Sequence, residues 1–219
     1  MIRHPFILSI FIASLSISIG SAAVLESKIG TKAIESVKLV ESATVDSAGK
    51  KITLKPYAAG IRRKKVALFW VKVYVAQVFA AEGLTPPKTI EEAVETLGKH
   101  PTVAVTLTFL RNVDVEKIIE GFESSLEANK IDPKAEEIKP LFAALKQAGP
   151  SVENATTTMV LERAPDGKES FRFENHKGEL QNSTAIQAGT IRKILTLWFG
   201  TPADSGMERL QKQLIGKED

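Results

Sequence analysis

The chain contains no cysteine. That absence excludes disulfide frameworks, thiolate metal sites and cysteine nucleophiles, and leaves the fold to hold by packing alone. Histidine is nearly as scarce, with three in the whole sequence: His4, His100 and His176. His4 lies in a leader-like N-terminus, while His100 and His176 sit beside the turn residues Pro101 and Lys177-Gly178, where surface histidines are ordinary. A histidine metal cluster therefore lacks ligands, and a serine triad would lack a GxSxG elbow to present its nucleophile. Neither a GxGxxG turn nor a P-loop occurs, so no cofactor is expected. Tryptophan and tyrosine number two each, and the formal net charge is only +3. Nucleic-acid surfaces need a basic stripe, commonly with stacking aromatics, and no such partner is expected here. Repeats and Gly/Ser-rich linkers are also missing, which makes residues 24–219 a single domain large enough for a substantial core.

What is present begins with an export signal. Arg3 and His4 form a short polar start, and Pro5 to Ile19 is apolar. Gly20-Ser21-Ala22-Ala23 then supplies the small residues that a signal peptidase requires. The apolar stretch is short for a bilayer span and four serines interrupt it, so a cleaved leader (1–23) is favoured over an anchor. Cleavage after Ala22 or Ala23 would leave no stable membrane span. The bacterial periplasm is the simplest compartment for an exported chain without cysteine.

Hydrophobic periodicity predicts strands first and helices later. Val24 to Glu35 reads as a frayed lead-in or an edge strand. Ser36 to Tyr57 holds two β-like pieces around Asp46-Ser47-Ala48-Gly49. Thr89 is placed to cap a helix with Glu91 and Glu92 in its first turn, and Gly98 to end it. Thr102 to Leu110 alternates as a strand, and Asp114 to Asn129 is an amphipathic helix. Another helix is predicted from Ala135 to Gln147. Strands over 155–162 and 170–174 follow, then a hairpin at His176-Lys177-Gly178. Helices over 184–198 and 204–214 close the chain. Acidic pairs such as Glu91-Glu92 and Glu136-Glu137 fall on helix surfaces, where solvation and the helix dipole explain them. This order implies an α+β domain with an antiparallel sheet and helices packed on it.

Chemistry concentrates in Ala59 to Ala80, AGIRRKKVALFWVKVYVAQVFA. Ala59-Gly60 reads as a turn, and Arg62-Arg63-Lys64-Lys65 follows as a basic run. Such a run is a solvated loop, an anion site or a nucleic-acid patch, and a solvated loop is its commonest use. Lys65 to Phe79 is β-patterned and apolar on both faces, as one bent strand or two joined ones, so it should be central and covered on each side. Arg62 and Tyr74 could face one apolar space and fix an anionic or hydroxylated ligand.

Three blocks in this order resemble the chalcone isomerase-like family, and its exported bacterial members in particular. They are Ala59-Gly60-Ile61-Arg62 with Val73-Tyr74-Val75-Ala76, then Thr106 to Val113 with the helix from Asp114, and finally Leu195 to Pro202. The resemblance covers roughly residues 38–216. It implies an open-faced β-sandwich, a large antiparallel sheet with a layer of helices enclosing an apolar cleft. Plant enzymes of the family cyclise chalcones without a cofactor, using an arginine, a threonine, a tyrosine and an asparagine. Arg62 matches the arginine, and Tyr74 stands at the threonine position. Asp114 falls near the tyrosine and Gly121 near the asparagine, so two hydrogen-bond donors are missing. In the fatty-acid-binding branch an arginine and a tyrosine hold the ligand carboxylate.

The resemblance therefore implies a periplasmic, non-catalytic binder of a small apolar carboxylate, such as a fatty acid, or of a phenolic ligand. Arg62 and Tyr74 would hold the head group, with Phe69 or Trp70 among the residues lining the tail. Its rival is a cofactor-independent isomerase of the intramolecular lyase type, with Arg62 stabilising an oxyanion and Tyr74 donating. A structural envelope role without a small ligand is the third reading.

Overall fold

In the computed structural model, which describes residues 23–47 and 49–217, eight antiparallel strands lie in the sheet in their chain order. The expected leader lies outside the described residues except for Ala23. Strands β1 (Glu26–Ile34) and β2 (Val37–Ser47) open the sheet, and β3 (Lys50–Val66) and β4 (Phe69–Ala81) form its longest hairpin. Next come β5 (Thr102–Phe109), β6 (Thr156–Arg163), β7 (Glu169–Glu174) and β8 (Leu180–Ile186). Among the described residues the helices are α1 (Ile90–Lys99), α2 (Val115–Ala128), α3 (Lys139–Ala148), α4 (Thr190–Phe199) and α5 (Ser205–Leu214). The α+β class follows as expected, and the sheet does not close into a barrel.

Alternation along the strands sends side chains to two separate cores. On the helix side, Tyr74, Ala76 and Val78 of β4 meet Leu107 and Phe109 of β5, with Phe122, Leu126 and Trp198 from the helices above them. On the other side Phe79, Leu54, Ala104 and Val160 pack with Val24 and Leu25 from the start of the domain. The first strands are tied to this second face by polar side chains. The Val40 amide donates to Gln77 Oε1 (2.9 Å), Gln77 Nε2 donates to the Val40 carbonyl (3.2 Å), and the Val24 amide donates to Glu174 (2.6 Å). β4 is accordingly covered on both faces from Tyr74 to Ala80, as its apolar pattern predicts.

Four sequence expectations need correction. Ala59-Gly60 is not a turn, because β3 runs straight through it and on through the basic run to Val66. Gly60 serves packing instead: a Cβ there would stand 2.8 Å from Leu210 Cδ1 of α5. The run from Lys65 to Phe79 is broken by a two-residue turn at Ala67-Leu68, so its first residues form an exposed hairpin tip. The helix expected from Ala135 starts at Lys139, where Pro140 fits a first helical turn. Thr184 to Ile186 belong to β8, paired with β7, and α4 begins only after Gly189 at φ 89°. Elsewhere the predicted elements stand close to their expected bounds: Thr89 caps α1, accepting from the Glu92 amide, and Val24 to Glu35 supplies the edge strand β1.

Candidate ligand-binding site

Arg62 and Tyr74 are directly opposite each other across β3 and β4, and Tyr74 is in turn opposite Phe109 of β5. Directly paired residues share one face of a sheet, so the three side chains form a row on the helix side. This alignment depends on one irregularity. The ladder steps from Arg63↔Lys72 to Arg62↔Tyr74, leaving Val73 as an extra residue on β4. Such a bulge re-aims the side chains beyond it. Without it Arg62 would face Val73, and Tyr74 would turn to the opposite face.

The row forms the floor of a pocket roofed by α2 and α5. Val73, Leu107, Phe109, Ile118, Phe122 and Met207 make its apolar walls, Arg62, Tyr74 and Ser125 its polar groups, and Lys64 and Lys117 also line it. Its free volume is about 80 Å³. A second, narrower apolar space shares Leu107, Phe109, Ile118 and Phe122, and continues past Met159 and Phe173 to His176. An engineered cavity of about 150 Å³ is what takes up a benzene. The pocket in this state has room for no more than a small group, and anything longer would need the neck at Phe109 and Phe122 to widen.

Each polar group has a distinct state. The Arg62 guanidinium is buried, donates from Nη2 to Asp204 Oδ2 at 2.6 Å, and donates from Nη1 to the Arg63 carbonyl. Asp204 uses its other oxygen to cap α5, accepting from the Gly206 and Met207 amides at 2.9 Å each. Arg62 thus anchors α5 as well as lining the pocket. Gly206 makes that contact possible, since a Cβ there would run into the Arg63 carbonyl and the Arg62 guanidinium. Burial would raise the Asp204 carboxyl, but the Arg62 bond and the two amides more than reverse this and hold it below its ordinary value.

Tyr74 is buried edge-on against Phe109, with ring centroids 5.7 Å apart. Its hydroxyl lies beside the Trp198 indole. Burial pushes the phenol up, while Arg62 and the nearby Trp198 indole act in the opposite sense. Trp198 is 1% exposed, packs edge-on against Phe122 at 5.9 Å, and its Nε1 has no partner in good hydrogen-bond geometry. A buried indole donor without a well-formed hydrogen bond therefore lies beside the phenol, which is uncommon in a protein interior.

Both ends of α4, which presents Trp198, are fixed. At its start Glu169 accepts from the Ile191 amide (2.9 Å). At its end Asn129, following α2, accepts from the Thr201 amide and donates to the Thr201 carbonyl.

The remaining expected residues are placed less centrally. Asp114 is exposed at the start of α2 and its side chain makes no capping bond. Gly121 lines the pocket, and a Cβ there would meet nothing within 4 Å, so the space an asparagine would fill is open. Phe69 and Trp70 do not line the tail space: the bulge separates them from Tyr74, and Phe69 is 74% exposed at the hairpin tip. Leu107, Phe109 and Phe122 line the apolar space instead. Arg63 bonds to Glu35, and Lys64 belongs to the pocket, so neither is simple loop charge. Sequence reasoning missed Asp204 and the orphaned Trp198 donor. The Asp204-Ser205-Gly206 cap signature was visible, but its arginine partner was not.

Among the described residues no helix is long and apolar enough to cross a membrane, and no His/Asp/Glu group could hold a metal ion. A family model described as chalcone isomerase-like matches residues 31–216. A crystal structure of a fatty-acid binding protein from Arabidopsis thaliana is similar in fold, with a TM-score of 0.51 at 15% identity. That match covers 78% of this chain and 95% of the plant protein. No curated protein matches the chain.

Proposed function

The chain belongs to the chalcone isomerase-like family, and from that premise we propose that it is a non-catalytic binder of a small apolar anion, such as a fatty acid. The observation that carries this reading is the buried row Arg62–Tyr74–Phe109, in which a buried phenol lies beside a guanidinium at one end of an apolar space. An arginine and a phenol suit a carboxylate head group, and the apolar walls suit a hydrocarbon tail. The plant protein of similar fold is described as binding fatty acids, which is consistent with this ligand class. The leader-like N-terminus supports work in the periplasm.

An isomerase would need donors around the reacting ketone. The two expected positions offer an exposed carboxylate at Asp114 and no side chain at Gly121, which weighs against chemistry at this site. The decisive experiment is fluorescent fatty-acid displacement on wild type and Tyr74→Phe, together with native mass spectrometry of co-purified lipid. Loss of the hydroxyl should weaken dodecanoate binding about 5- to 10-fold, the worth of one buried hydrogen bond. A wild-type protein that carries no lipid and displaces no probe would refute the binder. Chalcone loss faster than the spontaneous background, abolished in Tyr74→Phe, would favour the isomerase instead.

A further inference from the structure

The tip of the β3–β4 hairpin stands beyond the sheet. β2 pairs with β3 only as far as Leu54, and the β4–β5 ladder starts at Tyr74, so Val66 to Lys72 has no strand beside it except its own hairpin partner. This free ribbon carries large apolar side chains in water: Leu68 is 85% exposed, Phe69 74% and Val66 53%. Trp70 stands behind them with Arg209 stacked over its ring at 4.4 Å. Nothing in the fold requires this composition. Two-residue hairpin turns favour Asn, Asp and Gly, yet here Ala67 occupies a positive φ of 52° and Leu68 follows it. The tip thus accepts a strained alanine and exposed apolar surface together.

The surrounding charge identifies an occupant. From Arg62 to Lys72 the chain carries five cations and no acid. Arg63 and Lys72 share Glu35, whereas Lys64 and Lys65 have no ion-pair partner among the described residues. An apolar tip with tryptophan one step behind and lysines behind that is the profile of an element that enters the headgroup region of an anionic bilayer. A second copy of the chain fits less well, because pairing two tips would oppose like charges.

We propose that the β3–β4 hairpin docks the protein on an anionic lipid surface, with Leu68 and Phe69 entering the apolar boundary and Lys64 and Lys65 meeting the headgroups. Lys64 and Val73 also line the pocket, so docking would bring the pocket rim to the lipid surface. The docking inference stands on the ribbon alone and does not require that the pocket binds a fatty acid.

Trp70 gives a local readout, because the only other tryptophan, Trp198, is buried in the core. The full chain is titrated with vesicles of equal parts phosphatidylglycerol and phosphatidylcholine, or of phosphatidylcholine alone, with and without brominated acyl chains. The emission is expected to shift to the blue and to be quenched by brominated lipid on the anionic vesicles, less so as salt is raised. Lys64→Gln/Lys65→Gln should lower the partition coefficient on anionic vesicles roughly tenfold or more, and hardly at all on neutral ones. Leu68→Glu/Phe69→Glu should lower it at least about tenfold, with the thermal midpoint unchanged because these side chains are exposed. Absence of the shift in wild type, or its survival in the glutamate variant, overturns the proposal. A shift that follows protein concentration without vesicles, with a dimer mass in ultracentrifugation, overturns it in favour of self-association.

Discussion

Arg62 Nη2 and Asp204 Oδ2 lie 2.6 Å apart, so the guanidinium that faces the pocket already holds a carboxylate. A fatty-acid head group must share Arg62 with Asp204 or displace it. Asp204 is the more solvated partner, with its side chain 40% exposed against 11% for Arg62, and water can take over its lost bond.

Asp204→Asn separates the two duties of this residue. Asparagine caps helices about as well as aspartate, so α5 should stay docked. Arg62 would lose its counter-charge, and dodecanoate affinity should rise roughly 3- to 10-fold by displacement titration. A fall in affinity would show that the ligand head group does not rest on Arg62.

The same pair sets part of the acid stability. The Asp204 carboxyl lies below its ordinary value of 3.8 in the folded protein, so its contribution is complete above that pH. It disappears as pH falls through the lowered folded value. Urea unfolding across the acid range should therefore lose stability more steeply in wild type than in Asp204→Asn. Parallel pH curves for the two proteins would contradict the assignment.

Gly121 opposes stability to binding. A glycine inside a helix costs about 1 kcal/mol relative to alanine, and no neighbour here requires one. Gly121→Ala should raise stability by about 0.5–1 kcal/mol in denaturant titrations. Gly121→Leu would project into the pocket and should abolish fatty-acid binding while the protein stays folded. Unchanged binding in the leucine variant would place the ligand elsewhere.

Gly206 should be intolerant of any side chain. Even an alanine Cβ collides with the Arg63 carbonyl, which is backbone and cannot swing aside. Gly206→Ala is expected to cost about 1–3 kcal/mol in urea unfolding. It should also weaken ligand binding, because α5 supplies Met207 to the pocket.

Much of this architecture is legible in the sequence, for a physical reason. Alternation over Thr102–Phe109 and the Thr89 and Asp204 caps are local signals, and the structure places β5, α1 and α5 where they point. The errors arise where a distant partner decides. Gly60 looks like a turn because α5 is invisible from its neighbours in sequence. Thr184 to Ile186 look helical until β7 offers them a ladder. The apolar tip resembles a continuous buried strand, since hydrophobicity alone does not reveal that nothing covers it. Within the site, the spacing of Arg62 and Tyr74 does not fix their relative facing, which the single extra residue at Val73 determines.

Because sheet order equals chain order, no strand has to be threaded between two others that have already paired. Each new strand can add to the edge left by its predecessor, either through a tight turn or after an intervening helical excursion, so assembly can proceed from the first strand to the last as the chain emerges. The Val24–Glu174 hydrogen bond joins positions from opposite ends of that sequence and can form only once β7 is in place. It makes the beginning of the domain a late participant in folding, and cleavage directly before Val24 would turn the donating amide into a charged ammonium facing the Glu174 carboxylate.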